Sequence, residues 1–332
     1  MQGSDQTHNG ATAPIAVVIP CHNYGRFLAD AVKSVLAQKV RPDEIVVVDD
    51  GSTDNTADVC RGFAELAYLR TDQGGPSAAR NAGLARTRSP MLLFLDADDM
   101  LRPFALEALH EAIQQAPSAG AVIGVSDTFQ DSSPQETTGL LPDPAEVRTY
   151  AQEALSPGVS LLSARVLERF VRSNIAPACS TLIRRSVFET VGPWNEKYRH
   201  HEDREMWIRI AAKCRLAFLD RPVALVRRHG QNITDHLNWE RNHQGVLEVL
   251  DDLFRADWPD RSLKAMLRRQ YAVGAYHLAQ RLADRGCYSQ AAALMRASLR
   301  RDPARVKNWA LWMAYGLKGL IRPDMPDDPG RI

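Results

Sequence analysis

Two apolar runs of the sequence end in aspartates. The run MLLFLDADD ends with Asp96, Asp98 and Asp99, and the run EIVVVDD ends with Asp49 and Asp50. Carboxylates this close together repel one another, so a cation or a local hydrogen-bonding task must compensate. Mg²⁺ and Mn²⁺ take few protein carboxylates and complete their shells with water and phosphate oxygens. The aspartates therefore indicate a divalent-metal site for a nucleotide diphosphate.

The spacing within DADD supports a shared cation. Asp96 and Asp98 are two residues apart, so in an extended strand end they project to the same side. The alternative is structural: Asp98 or Asp99 caps a helix that begins near Pro103, or the run is a solvated turn. This run alone leaves both interpretations open, and the second acidic pair favours the metal site.

The elements that must position these acids are predicted to alternate between strands and helices. IAVVIP, EIVVVDDG and MLLFLDADD have the composition of buried strands, and GRFLADAVKSVLAQ and PFALEALHEAIQQ have helical periodicity. This alternation is typical of a parallel sheet covered on both faces. Ligands of such sheets bind beyond the carboxyl ends of the strands, so we expect both acidic clusters to face one crevice.

The second half of this domain is predicted less regularly. Residues 128–157 are rich in Ser, Pro, Thr and Asp, which indicates a surface loop. LLSARVLERFVRS and RRSVFETVG are predicted to be helical, and CRLAFLD and VALVRR are predicted to be separate closing strands. We expect a disordered leader at 1–13, a catalytic domain at 14–237 and a helical region at 238–332.

Composition excludes several classes of function. The net charge of +1 gives no field that would favour nucleic acid. The five cysteines are scattered and never spaced as C-x-x-C, which is typical of reduced thiols and of a cytoplasmic protein. The polar first residues do not resemble a signal peptide, and no apolar run is long enough to span a membrane.

Four stretches, in this order and at this spacing, resemble the family 2 glycosyltransferases: VVIPCHNYGRFLADAVKSVLAQ, EIVVVDDGSTDNT, QGGPSAARNAGLART and FLDADD. The family has the GT-A fold, uses nucleotide-activated sugars that are usually UDP-linked, and inverts the anomeric centre. The resemblance covers roughly residues 14–235. It implies an α/β fold, GT-A, with a Rossmann-like and mostly parallel central sheet and a C-terminal helical extension.

The resemblance also implies a donor site. Asp49 and Asp50 match the family's acidic pair on the uracil and ribose side, and Asp96 would hydrogen-bond the ribose or the donor sugar. We expect the backbone N–H groups before the helix of ARNAG to be free to face the nucleotide. The nucleotide-sugar-binding residues implied in this way are Pro20, Asn23, Asp49, Asp50, Gln73, Gly74, Gly75, Arg80, Asp96 and Ala97.

The remaining assignments concern the metal, the base and the acceptor. FLDADD resembles the family's DxD motif, so Asp98 would ligate Mg²⁺ or Mn²⁺. His229 stands where related sequences carry a histidine that can complete the metal shell. KYRHHEDREMWIRI resembles the family's acidic helix start, which implies Asp203 as the catalytic base. By its local sequence alone, Asp203 is more typical of a helix cap. The acceptor candidates in this half are Cys179, Ser180, Trp194 and Glu202.

The C-terminal region has a different pattern. Residues 272–312 resemble one tetratricopeptide repeat, and a single repeat must pack on the catalytic domain or on a partner. The final stretch, NWALWMAYGLKGLI, mixes tryptophans with lysines, which is typical either of a helix at a membrane interface or of a packed terminal helix.

These observations predict a glycosyltransferase (a hexosyltransferase) that moves a sugar from a nucleotide sugar, UDP-linked, to a carbohydrate or lipid-linked acceptor in envelope or exopolysaccharide synthesis. We expect it in the cytoplasm or at the inner face of the cell membrane. Two alternatives stay open: a nucleotidyltransferase acting on sugar phosphates, and a non-catalytic scaffold that works through its helical tail. A nucleotidyltransferase would carry a glycine-rich, basic turn after its first strand, and PCHNYGRF lacks that pattern. The acids at the metal and base positions disfavour a non-catalytic scaffold.

Overall fold

The computed structural model describes residues 12–229, 239–258 and 260–321. The chain divides into two compact units. The first holds the described residues up to Phe170 together with Asn174–His229, and the second holds Val171–Ser173 and the described residues that follow His229. The predicted leader lies largely, and the predicted boundary at 237 wholly, outside the described residues.

In the part of the chain that the structure describes, the first unit is built on one mixed sheet of eleven strands. The strand order is β3-β2-β1-β4-β10-β6-β11-β9-β8, while β5 pairs with β11 and β7 pairs with β6. The strands are β1 Thr12–Cys21, β2 Arg41–Asp50, β3 Ala67–Thr71, β4 Met91–Phe94, β5 Met100–Leu101, β6 Ala119–Gln130, β7 Ser133–Leu141, β8 Ala151–Ser156, β9 Val159–Leu162, β10 Thr181–Arg184 and β11 Arg215–Arg228.

The part of the sheet that carries the acids is parallel. Strands β3, β2, β1 and β4 run in the same direction, and β10 lies antiparallel between β4 and β6. The segments that connect these strands fold as helices because apolar residues recur in them at helical spacing. The helices of this unit are α1 Gly25–Leu36, α2 Thr56–Arg61, α3 Pro76–Arg86, α4 Ala105–Gln115, α5 Pro144–Arg148, α6 Val166–Arg172 except its last two residues, α7 Ser186–Val191 and α8 Glu202–Lys213.

Helix α1 shows why the alternation of strands and helices could be predicted from the sequence. Its residues Phe27, Leu28, Ala31, Val32 and Val35 are all buried. They recur at intervals of one, three and four residues, so they form one face against the sheet. The strands β1 and β4 are buried on both sides and are therefore almost continuously apolar.

The surface loop predicted for residues 128–157 is wrong. Strand β6 continues to Gln130, β7 pairs back onto it, and α5 and β8 follow. The side chains at 137–140 of β7 are exposed, so this strand has the polar composition that is usual for a loop. The two predicted closing strands are also one strand, β11, whose pairing with β6 shifts register between Phe218 and Pro222.

The second unit is helical in its described residues. It contains α9 Trp239–Arg255, α10 Arg261–Asp284, α11 Tyr288–Arg301 and α12 Val306–Ile321. The carboxylate of Asp260 accepts a hydrogen bond from the backbone N–H of Ser262 at 2.7 Å and so caps the N-terminus of α10. Gly286, with φ of +84°, turns the chain between α10 and α11. Among the described residues, no helix is both long and apolar enough to cross a membrane.

Candidate active site

The DADD run forms a turn, not an extended strand end. Strand β4 ends at Phe94, and the backbone N–H of Asp99 donates to the carbonyl of Asp96 at 3.0 Å. The alternation argument for Asp96 and Asp98 therefore does not apply. Helix α4 begins at Ala105 without a side-chain cap, so these aspartates do not cap it either.

Asp98 faces His229. His229 Nε2 lies 3.1 Å from Asp98 Oδ2, and the histidine side chain is only 4% exposed. Its ring packs against Phe27 and Tyr24, at centroid distances of 4.9 and 5.7 Å. Burial, reinforced by the charge of Asp96, raises the pKa of Asp98.

Arg227 holds this turn in place and was not predicted from the sequence. Its backbone N–H donates to Asp99 Oδ1 at 3.1 Å, and its Nε donates to the carbonyl of Asp98 at 3.0 Å. Its guanidinium also binds Asp131 and Asp30. Arg227 lies near the end of β11 and two residues before His229, a spacing that in an extended chain places two side chains on one side.

Arg80 connects the acidic turn to the start of α8. Its Nη2 lies 2.8 Å from Asp96 Oδ1, and its Nη1 lies 2.8 Å from Glu202 Oε1. The arginine side chain is 4% exposed and lies over the ring of Trp194 at 4.8 Å. A buried guanidinium must be paired, and here its two partners come from elements distant in sequence. Arg80 thus brings the predicted donor side and the predicted base side together.

Asp203 lies beside this ion pair, in the first turn of α8. Its carboxylate accepts hydrogen bonds from Asn174 Nδ2 and from the backbone N–H of Arg204 at 2.6 Å. Burial and the charge of Glu202 raise the pKa of Asp203 to about 7, although Arg80 opposes the increase. A carboxylate with such a pKa is suited to accept a proton near neutral pH.

The pair Asp49 and Asp50 is engaged within the protein. Asp49 is 0% exposed and accepts hydrogen bonds from the Tyr68 hydroxyl at 2.5 Å and from Arg70 Nη1 at 2.7 Å. Burial alone would raise its pKa, but the hydrogen bonds from Tyr68 and Ser52 lower the pKa below its usual value. Tyr68 and Arg70 alternate along β3 beside Asp49, and the sequence analysis missed both.

Asp50 accepts the backbone N–H groups that were expected to face the nucleotide. The N–H of Gly74 donates to Asp50 Oδ1 at 2.9 Å, and the N–H of Gly75 donates to Oδ2 at 2.7 Å. The prediction that these amides are free is therefore wrong, because the buried carboxylate of Asp50 needs donors. Gly75, with φ of +94°, turns the chain directly before α3.

The first-strand turn forms the rim above these acids. Asn23 has φ of +56°, and its Oδ1 accepts the backbone N–H of Thr53 at 2.8 Å. His22 Nδ1 lies 2.7 Å from the carbonyl of Asp50, and Gln73 Nε2 lies 3.1 Å from His22 Nε2. Pro20 lies near the end of β1, while Asn23 and Gln73 are exposed. These residues surround the carboxyl ends of β1 and β2.

The acceptor candidates lie in the interior. Cys179, Ser180 and Trp194 are 1%, 0% and 1% exposed. The Ser180 hydroxyl donates to the carbonyl of Gly124 at 3.2 Å, and Trp194 packs edge-on against Phe94 at 5.3 Å. In this structure these three side chains pack in the core and do not face a cleft. Glu202 binds Arg80, and Ala97 is likewise buried.

The donor set fits a cation with two protein ligands. Within residues 12–229, 239–258 and 260–321 no group of three or more His, Cys, Asp or Glu side chains could hold a metal ion. One carboxylate and one imidazole at 3.1 Å remain, at Asp98 and His229. Mg²⁺ and Mn²⁺ sites with few protein ligands complete their shells with water and phosphate oxygens, and Mn²⁺ also accepts imidazole.

Solved structures with this fold bind nucleotide sugars. Residues 1–349 of S. aureus TarS in complex with UDP-GlcNAc superpose with a TM-score of 0.61 at 15% identity, over 92% of this chain and 91% of that one. A mannosyltransferase from Pyrobaculum calidifontis in complex with GDP-Man and Mn²⁺ gives a TM-score of 0.51 at 18% identity, over 94% and 89%. The predicted fold class is confirmed by the likeness to TarS.

Two sequence relatives each match about a third of the chain. An uncharacterized glycosyltransferase of Nostoc sp. is 40% identical over 114 residues, which are 32% of this chain and 35% of that protein. The minor teichoic acid biosynthesis protein GgaA of Bacillus subtilis is 33% identical over 106 residues, or 29% and 24%. This chain thus spans about a third or less of the length of these relatives. The family model described as glycosyl transferase family 2 matches residues 16–192, more than half of the chain, and the chain therefore belongs to that family.

Proposed function

We propose that this glycosyltransferase moves a hexose from a UDP-sugar to a carbohydrate or lipid-linked acceptor of the cell envelope, with inversion at the anomeric carbon. The observation that carries the proposal is the buried Arg80, which ion-pairs with Asp96 and with Glu202 at 2.8 Å each. The ion pairs bring the acidic turn and the start of α8 to one place. A donor site and a base on opposite sides of the reacting carbon need such an arrangement.

The donor side consists of the acidic turn. Asp96 remains 41% exposed while it binds Arg80, so its carboxylate is accessible to a ribose or sugar hydroxyl. Asp98 and His229 would hold Mg²⁺ or Mn²⁺, which neutralises charge on the diphosphate leaving group. The carboxyl ends of β1 and β2, with Asn23 and Gln73 at their rim, would surround the nucleotide.

Asp203 would supply the base. In a direct displacement, the acceptor hydroxyl oxygen forms the new bond to the anomeric carbon while the bond to the diphosphate oxygen breaks. The electron pair of that bond leaves with the diphosphate, and the hydroxyl proton passes to Asp203. The pKa of about 7 makes this carboxylate a better proton acceptor than an ordinary aspartate.

Two likenesses support the substrate classes. TarS, whose structure has the same fold, was solved with UDP-GlcNAc, which supports a UDP-sugar donor. The name of the relative GgaA refers to teichoic acid biosynthesis, which supports an envelope glycan as the acceptor. The Mn²⁺ in the P. calidifontis mannosyltransferase supports a divalent metal.

Replacing the base separates chemistry from donor binding. We expect Asp203→Asn to keep the Kd for UDP while kcat falls by about 10² to 10⁴, the usual contribution of a positioned base. Asp58→Asn is the matched control, because Asp58 also lies in the first turn of a helix but its side chain is 66% exposed. Sugar transfer by Asp203→Asn at nearly the wild-type rate would contradict the assignment and would make Glu202 the next residue to test.

A further inference from the structure

Helix α12 presents an exposed apolar face. Trp309, Met313, Leu317, Leu320 and Ile321 are 42%, 61%, 66%, 87% and 72% exposed. At 3.6 residues per turn, these positions fall within an arc of about 120° on the helix. A water-exposed surface helix usually has a polar outer face, so this apolar arc is unusual.

The opposite face of α12 packs within the second unit. Tyr315 is 8% exposed, and the side-chain amide of Asn308 donates to the Ser298 hydroxyl of α11 at 2.7 Å. At Gly319, an added Cβ would lie 3.1 Å from the Ser289 hydroxyl, so the two helices approach closely there. The contacts with α11 thus fix the orientation of the helix and leave the apolar arc outward.

Cations flank the apolar arc on both sides. Lys307 and Lys318 follow one edge of the arc around the helix. On the other edge, Arg296 of α11 lies over the Trp312 ring at 5.6 Å. Residues 288–321 contain six basic residues against the single acidic Asp302; the basic residues are Arg296, Arg300, Arg301, Arg305, Lys307 and Lys318.

We propose that α12 lies in the interface of an anionic lipid membrane, with its apolar arc among the acyl chains and its cations at the phosphates. Apolar centres with cationic flanks and tryptophan are the features that bind helices in the plane of such a surface. An antiparallel two-fold contact between two copies would instead bring the edge with Lys307 and Lys318 toward the same edge of the other copy, and a parallel contact would bring it toward the edge with Arg296; cations repel in both cases. The surface therefore complements lipid better than it complements itself.

Vesicle flotation of the full-length protein tests the proposal without any nucleotide. The protein should float with phosphatidylcholine vesicles that contain phosphatidylglycerol, and much less with phosphatidylcholine alone. The combined variant M313S/L317S/L320S should reduce the partition coefficient about 1000-fold, because each of the three buried apolar side chains contributes roughly tenfold. The pair K307Q/K318Q should reduce it about tenfold or more on anionic vesicles.

The matched control is Leu140→Ser, which changes an exposed leucine of β7 that is 44% exposed and lies in the first unit. Circular dichroism and sedimentation velocity of each variant report folding and self-association. Equal flotation of wild type and M313S/L317S/L320S would overturn the proposal. Equal flotation with neutral and with anionic vesicles would overturn it too. So would a wild-type protein that does not float but forms a dimer, if M313S/L317S/L320S is monomeric.

Discussion

Sugar transfer should increase with pH up to about 7 and then level off, because Asp203 must lose its proton before it can act as a base. Burial and the charge of Glu202 raise the pKa of this carboxyl to about 7. Below that pH the ionised fraction falls roughly tenfold per pH unit, so kcat at pH 5 should be about one hundredth of its plateau. Initial rates at saturating donor and acceptor, from pH 5 to 8.5, measure this acid limb.

Glu202→Gln should move the acid limb to lower pH. The substitution removes the like charge beside Asp203 and keeps an oxygen that can accept from Arg80 Nη1. Arg80 lowers the pKa of Asp203, and with Glu202 neutral its charge is less compensated, so both effects act in the same direction. A neighbouring charge of this kind is worth about one pKa unit, or about 1.4 kcal/mol.

Glu205→Gln is the control for this shift. Glu205 also lies in the first turn of α8, but its charge is compensated by Arg209 at 2.8 Å. Its substitution should leave the acid limb where it is in the wild type. A rate that is flat between pH 5.5 and 7, or a limb that Glu202→Gln does not move, would refute the assignment of Asp203 and of its neighbour.

Three further substitutions test other parts of the site. Arg80→Ala should lower the free energy of unfolding by about 3 kcal/mol in urea titrations, because it leaves the largely buried carboxylate of Glu202 without its partner; a loss below about 1 kcal/mol would show that the ion pairs are dispensable. Asp98→Ala should weaken Mn²⁺-dependent binding of UDP at least tenfold by calorimetry; UDP affinity that excess EDTA leaves unchanged would contradict a metal site. Asp50→Asn should cost about 1–3 kcal/mol of stability in thermal melts, because one amide of Gly74 or Gly75 loses its acceptor; an unchanged melting temperature would count against this anchoring.

Local periodicity predicted the elements that carry the acids. The buried faces of α1 and the apolar runs of β1, β2 and β4 have regular patterns, so the two acidic clusters fall at strand ends as expected. The polar strand β7, which pairs with β6 across a short turn, was missed because residues 137–140 are all exposed and give no alternation of buried and exposed side chains. Composition cannot separate an exposed edge strand from a loop.

The connections between distant residues were the least predictable part of the site. Arg80 and Glu202 are 122 residues apart, and Arg227 and Asp98 are 129 apart, so no local pattern joins either pair. The sequence resemblance located Asp98, His229 and Asp203 by motif. It did not indicate that buried arginines bind the acids to one another, because such pairing is a property of the folded chain.

The central claim is that a metal-dependent site at this acidic turn activates a nucleotide sugar. The most direct measurement is the release of nucleoside diphosphate from a panel of UDP-, GDP- and TDP-sugars by the purified protein, with and without Mn²⁺ or Mg²⁺. We predict that at least one UDP-sugar releases UDP, that EDTA abolishes the release, and that Asp203→Asn slows it while UDP still binds. Release from no member of the panel when metal and an envelope-glycan acceptor are present, or release that EDTA does not affect, would contradict the claim.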